Sequence, residues 1–189
     1  MAKTALARIG NGLLALGRGR FARNERGAAA VEFALLSVPF FAILGAILET
    51  SLVFLSGQVL ESAVNDTSRL VRTGQARGII TSPAQFKTAV CNRLYGLFSD
   101  CSGLHIEVNV IQKFADAQFT PPIERDCELP CNWSRAETYD PGVGSEIVMV
   151  QVHYKWPVYL SLGGFGLANL PTGERLLGAA TVFKSEPFT

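Results

Sequence analysis

The chain of 189 residues has room for one modest domain beside a membrane segment, and its formal net charge is only +1. That balance hides an asymmetry: up to Gly27, Lys3, Arg8, Arg18, Arg20, Arg23 and Arg26 stand against a single acid, Glu25, while the remainder is net acidic. This excludes the footprint of a nucleic-acid binder, which clusters Lys and Arg on the folded domain, and matches the charge order of a membrane-anchored export substrate.

Residues 1–27 form a basic leader with no apolar period. From Ala28 an apolar run extends to Leu55, interrupted by Glu32 and Glu49, and Phe33–Leu48 carries no charge. A bilayer needs roughly 20 residues at ~1.5 Å rise each, so residues 28–56 are expected to form one transmembrane helix. A buried core helix and a cleaved secretory signal are the competing readings. The signal fits poorly, because its apolar region would far exceed roughly 7–15 residues and no good Ala-x-Ala site follows. Pro39 predicts a bend near Leu35–Pro39, since it removes one intrahelical hydrogen bond and crowds the preceding turn. Arg18, Arg20, Arg23 and Arg26 hold the N-terminus in the cytoplasm by the positive-inside rule. Residues 57–189 are then expected outside the inner membrane, in the periplasm of a two-membrane cell.

The helix is expected to continue beyond the membrane. Leu60, Ala63, Val64, Thr67, Leu70 and Val71 recur at helical spacing, with Gln58, Glu61, Asn65, Asp66, Arg69 and Arg72 between them. Gly74 supplies a stop, so one helix over Ala28–Thr73 would carry an apolar stripe to lay on a sheet. A shorter helix is predicted over Ser82–Tyr95, with Ser82 as N-cap and Pro83 in the first turn.

Three strands follow. Leu104, Ile106, Val108 and Val110 alternate with His105, Glu107 and Asn109, predicting a half-buried strand. In Glu146–Trp156, Val148, Val150, Val152, Tyr154 and Trp156 share one face. Leu176–Lys184 is apolar on both faces and is predicted to lie more centrally. Phe114–Gly144 reads as a long loop, and Ser161–Gly173 as a Gly-rich connection. Cys91, Cys101, Cys127 and Cys131 all fall in the external part, an even number in a disulfide-permissive compartment. Three pairings are open, of which Cys91–Cys101 and Cys127–Cys131 close the shortest loops. A zinc site with His105 or His153 is the rival, and Cys127-Glu128-Leu129-Pro130-Cys131 matches a CxxC knuckle poorly.

The informative stretch is Arg23-Asn24-Glu25-Arg26-Gly27-Ala28-Ala29-Ala30-Val31-Glu32-Phe33. A basic segment, a glycine and an apolar helix with one glutamate five residues later resemble a prepilin peptidase site, cut after the glycine. A glutamate at the head of a membrane helix is costly without a partner, and a neighbouring subunit's α-amine, freed by cutting, can serve as one. The longer string from Gly27 to Pro39, continued by Ile47-Leu48-Glu49, Glu61–Val64, Arg69–Gly74 and Lys184–Phe188, resembles the TadE/TadG family.

That resemblance implies a pilin-like α+β fold: a long N-terminal transmembrane helix packed on a small antiparallel sheet, in a single-pass membrane protein. It implies a pseudopilin or minor pilin of tight-adherence (Flp-type) pilus biogenesis, with Gly27 and Ala28 flanking the cleaved bond and Glu32 and Phe33 as assembly contacts. The implied partners are other TadE/TadF/TadG-like proteins and the Flp pilin, a prepilin peptidase, the inner-membrane assembly platform and membrane lipid, with no nucleic acid and no cofactor.

No Gly-x-Ser-x-Gly, P-loop or His-Glu-x-x-His occurs in the sequence, and no catalytic or metal-ligating residue is expected. The alternatives are a signal-anchored periplasmic enzyme and an anchored binding module or sensor unrelated to pili. Glu49 is open between a functional intramembrane acid and an interface-level snorkelling one. His105 and His153, on polar strand faces, are expected to be solvated. Gly163-Gly164-Phe165-Gly166 lacks the Lys-Ser/Thr of a phosphate loop and is expected to be a flexible turn.

Overall fold

The computed structural model describes residues 25–98, 101–162 and 165–187. Helix α1 runs unbroken over Glu25–Arg72 with Pro39 inside it, and α2 covers Pro83–Cys91. The strands are β1 (Leu104–Ile111), β2 (Thr138–Tyr139), β3 (Ile147–Pro157), β4 (Ser161–Leu162), β5 (Phe165–Gly166) and β6 (Glu174–Lys184). The chain divides into two compact units, residues 1–46 and 47–189. Most of the basic leader lies outside the described residues.

In the first unit, the helix presents Val31, Phe33, Leu35, Leu36, Val38, Phe40 and Phe41 exposed. By length and composition the helix can cross a membrane, and one such N-terminal helix fits a single-pass membrane protein. Two of its hydroxyls bond back within the helix: Ser37 Oγ donates to the Ala34 carbonyl at 3.1 Å and, further along, Ser51 Oγ to that of Ile47 at 2.8 Å. Such back-bonding satisfies hydroxyls where no water is at hand.

In the second unit the predicted stripe is realised. Val53, Ser56, Leu60, Ala63, Val64, Thr67, Ser68 and Val71 are buried while Glu61, Asn65, Asp66 and Arg69 are exposed, a period of three and four that puts the first set on one face. Each fully buried side chain such as Leu60 contributes roughly 1.5–3 kcal/mol. Past Arg72 the chain turns: Gly74 takes φ +74°, in the region that favours glycine, and the Ala76 N–H donates to the Leu70 carbonyl at 3.0 Å. Helix α2 starts as its residues predict, with Ser82 Oγ accepting from the Gln85 N–H at 3.4 Å and Pro83 at its head. It stops at Cys91, short of the predicted Tyr95.

The sheet has the order β2-β1-β3-β6. β1 and β3 pair antiparallel, with Ile106 opposite Val152 and Val108 opposite Val150, and β3 pairs antiparallel with β6, placing Val152 opposite Ala179. These residues, the α1 stripe and Phe86 and Val90 of α2 form one core. Two expectations are corrected. The sheet is mixed, because β2, entering from the long loop, pairs parallel with β1. The apolar β6 is an edge strand, and β3 holds the central place. Both faces of the sheet are covered at β1 and β3, but on β6 Gly178 and Ala180 are exposed, so the apolar composition of β6 does not report a central position.

A third correction follows from the same cause. His105 and His153 are buried rather than solvated, as are Glu107 and Gln151 beside them. The second sheet face is roofed by the loop carrying Cys127 and Cys131, where Ile123, Cys131 and Leu170 make a small cluster with Trp133 and Leu176 packed on it. The Gly-rich connection also departs from a simple turn: β4 and β5 pair as a short antiparallel ladder, while residues 163–164 lie outside the described ones.

Candidate processing and assembly site

Gly27 sits inside α1, two residues from its start. A Cβ added there would meet nothing within 4 Å, so packing in the single chain gives no reason for a glycine. Ala28 and Glu32 are four apart and share one helix face, and Glu32 and Phe33 are both exposed. Phe33, Leu36, Ser37, Phe40 and Phe41 line a shallow apolar groove. A bare apolar head with one acid on it is suited to packing against other helices.

Glu49 is engaged. Its Oε1 accepts from the backbone N–H of Leu160 at 3.0 Å and from that of Tyr159, and its Oε2 accepts from Leu160 at 3.1 Å. The carboxylate thus caps the turn that follows β3.

Beneath the cysteine-bearing loop lies a polar cluster that sequence reasoning missed. Arg135 Nε and Nη2 reach the Glu107 carboxylate at 3.0–3.2 Å, and Nη2 also donates to the Thr120 carbonyl at 2.7 Å. Glu107 Oε1 is 3.2 Å from His105 Nε2. A buried carboxylate persists only with partners of this kind. His153 pairs across the sheet with His105 on one side and Gly178 on the other; a Cβ at Gly178 would stand 3.0 Å from His153 Cδ2, so the small residue makes room for the ring. Burial lowers the pKa of His105, opposed by its hydrogen bond to Glu107. Burial pushes His153 down to about 4, and lifts the Tyr139 phenol to about 12. Both histidines are therefore neutral at pH 7. The one available signal was composition: a loop with Trp133 and Arg135 held by two cysteines is built to cover something.

Cys91 lies with Cys101, and Cys127 with Cys131, at disulfide distance, their Cα atoms 5.8 and 5.1 Å apart. These are the two shortest loops. Among the described residues no group of three His, Cys, Asp or Glu is placed to hold a metal ion.

Where the chain's likeness to known proteins falls is informative. Residues 27–69 match the TadE-like protein family. The match begins on the glycine of the suspected cleavage site and ends within the buried stripe of α1. It therefore spans both the exposed helix head and the segment on which the sheet domain packs, and it supports a role in the Tad pilus system. The sheet and both cysteine pairs lie outside the TadE-like segment. No curated protein and no solved structure matches the chain.

Proposed function

We propose that this chain is a non-enzymatic structural component of tight-adherence (Flp-type) pilus biogenesis, a pseudopilin or minor pilin. The N-terminus faces the cytoplasm, the span lies in the inner membrane, and the sheet domain is periplasmic. The observation that carries the reading is the TadE-like match over residues 27–69, which includes the Gly27/Glu32 spacing. The exposed apolar head of α1 supports it, because a helix bare on all sides is left free to pack on lipid and on neighbouring subunits. A prepilin peptidase cuts between Gly27 and Ala28. Other TadE/TadF/TadG-like proteins, the Flp pilin and the assembly platform then receive the processed helix.

Coexpression with the cognate prepilin peptidase tests this. The expected product begins at Ala28, and Gly27→Val blocks its formation, because a branched side chain crowds the cleaved bond. N-terminal sequencing that finds Met1, or a start beyond Ala30, overturns the processing step.

A further inference from the structure

We propose that the turn after β3, with Tyr159 and Leu160 at its tip, is a second membrane contact. It sits in the interfacial layer of the bilayer at the level of Glu49 and seats the external domain on the lipid surface. The proposal rests on α1 being the membrane span.

The direction of β3 fixes the level of the turn. From Glu49 to Val71 the helix rises ~33 Å at ~1.5 Å per residue, and the 11 residues of β3 cover ~36 Å at ~3.3 Å each. Near the start of β3, the loop residues Pro141 and Gly142 line a small cavity with Val71 from the far end of α1 and Ala76 from the turn just beyond it. After the end of β3, the Tyr159 and Leu160 N–H groups meet Glu49. β3 therefore runs antiparallel to the helix and returns the chain to the level of Glu49.

That level is under the lipid surface. Val53 and Ser56 are buried against the domain, but Leu52, Phe54 and Leu55 on the other side of the helix are 49–68 % exposed. Covering those three side chains takes the bilayer up to about Leu55, past Glu49.

The turn has the composition for this place. Residues 156–173 include no Asp, Glu, Lys, Arg or His. Tyr159 is 84 % and Leu160 37 % exposed, an aromatic and an aliphatic side chain offered outward from a short turn. Tyrosine is enriched at membrane–water interfaces, where its ring is shielded and its hydroxyl stays wet. The contact with Glu49 serves both partners. Free backbone N–H groups at that depth need an acceptor, and a carboxylate there needs donors.

Nitroxide labels placed by Tyr159→Cys, Leu44→Cys and Val143→Cys in the oxidised full-length chain, in phosphatidylethanolamine/phosphatidylglycerol vesicles, test this by collision with oxygen against a water-soluble nickel chelate. Val143 is an exposed apolar residue at the other end of β3, and so serves as the aqueous reference. The expected result is an oxygen-to-nickel ratio at 159 several-fold above that at 143 and approaching that at 44, with Glu49→Ala lowering the ratio at 159. Equal ratios at 159 and 143, with 44 lipid-exposed, overturn the proposal and leave the span intact. Water exposure at 44 as well overturns the span, and the proposal with it. A ratio at 159 that Glu49→Ala leaves unchanged overturns the role given to Glu49.

Discussion

The imidazole of His105 lies nearly parallel to the indole of Trp133, with ring centroids 4.6 Å apart and planes inclined by 22°. Lys155 Nζ stands 4.6 Å from the same indole centroid and donates to the Cys131 carbonyl. One side chain from an irregular loop thus covers a strand face that its own alternation marks as polar. Aromatic stacking and a cation over the ring contribute roughly 0.5–1.5 and 0.5–1 kcal/mol beyond burial. Trp133→Ala is expected to destabilise the sheet domain by roughly 1–3 kcal/mol and to expose Glu107 and His105 to water. Urea denaturation of the full chain in detergent measures this. A change under ~0.5 kcal/mol would show that the loop is not a lid on the sheet.

The buried histidines give the domain a pH dependence with a definite sign. His153 titrates at about 4 in the folded chain against 6.5 when unfolded, chiefly because burial penalises its charged form, with His105 and Arg135 adding to the effect and Glu107 opposing it. Between those values the unfolded chain binds a proton that the folded one refuses. The stability from the neutral ring is therefore complete above pH 6.5 and is lost as pH falls toward 4, at up to about 1.4 kcal/mol per pH unit. His105, also lowered, adds in the same direction. His153→Gln is expected to flatten the stability profile between pH 6.5 and 4 relative to the parent. Parallel profiles for the two would contradict the assignment.

The cysteine pairs close short loops, of sequence separation 10 and 4, for which chain entropy gives about 3 and about 2 kcal/mol. Thiol labelling of unreduced protein is expected to modify few or none of the four cysteines. The double change Cys91→Ser and Cys101→Ser, which unties α2 from the segment entering β1, is expected to cost about 2–3 kcal/mol. Four freely reactive thiols in the native protein would refute both pairings.

Much of the helical part was legible in the sequence because helical periodicity is a local signal. The stripe Leu60-Ala63-Val64-Thr67-Val71 and the Ser82-Pro83 cap each state their own geometry within a few residues. The strands were legible as strands, but their burial was not. His105, Glu107, His153 and Gln151 alternate with apolar residues as they would on an open face, and what buries them is the distant loop carrying Trp133 and Arg135. The mixed pairing of β2 is of the same kind: Thr138 and Tyr139 carry too short a pattern to announce a strand, and only the approach of the loop to β1 makes one. The edge position of β6 was hidden because apolar composition does not report neighbours on two edges, and Gly178 and Ala180 are apolar by type yet exposed. Glu49 was legible as an anomaly within an apolar run, yet its partners are backbone N–H groups, which no side-chain pattern reveals. Arg72 and Glu186, whose backbones meet through a 2.9 Å hydrogen bond from Glu186 N–H to the Arg72 carbonyl, tie two parts of the family-like string that sequence could only list separately.

Glu32 is where folding and assembly are expected to come apart. In the single chain it is exposed on the apolar head of α1, so no intramolecular packing depends on it. Glu32→Ala removes a charge from a membrane helix, and insertion of the monomer is expected to be no worse. The assembled state differs, because there the carboxylate is proposed to pair with a neighbouring subunit's α-amine, created by cutting after Gly27. Breaking one half of a desolvated ion pair costs roughly 3–5 kcal/mol, enough to weaken association by more than a hundredfold. Glu32→Gln is the sharper variant, since it keeps the shape and the hydrogen-bonding oxygen and loses only the charge. The expected outcome is normal membrane levels and normal processing, with loss of partner pull-down and of piliation. A Glu32→Gln chain that inserts, is processed, retains its partners and supports normal pili would show that this carboxylate is not an assembly contact, and the pilin-like reading would then stand on the cleavage site and the TadE-like match alone.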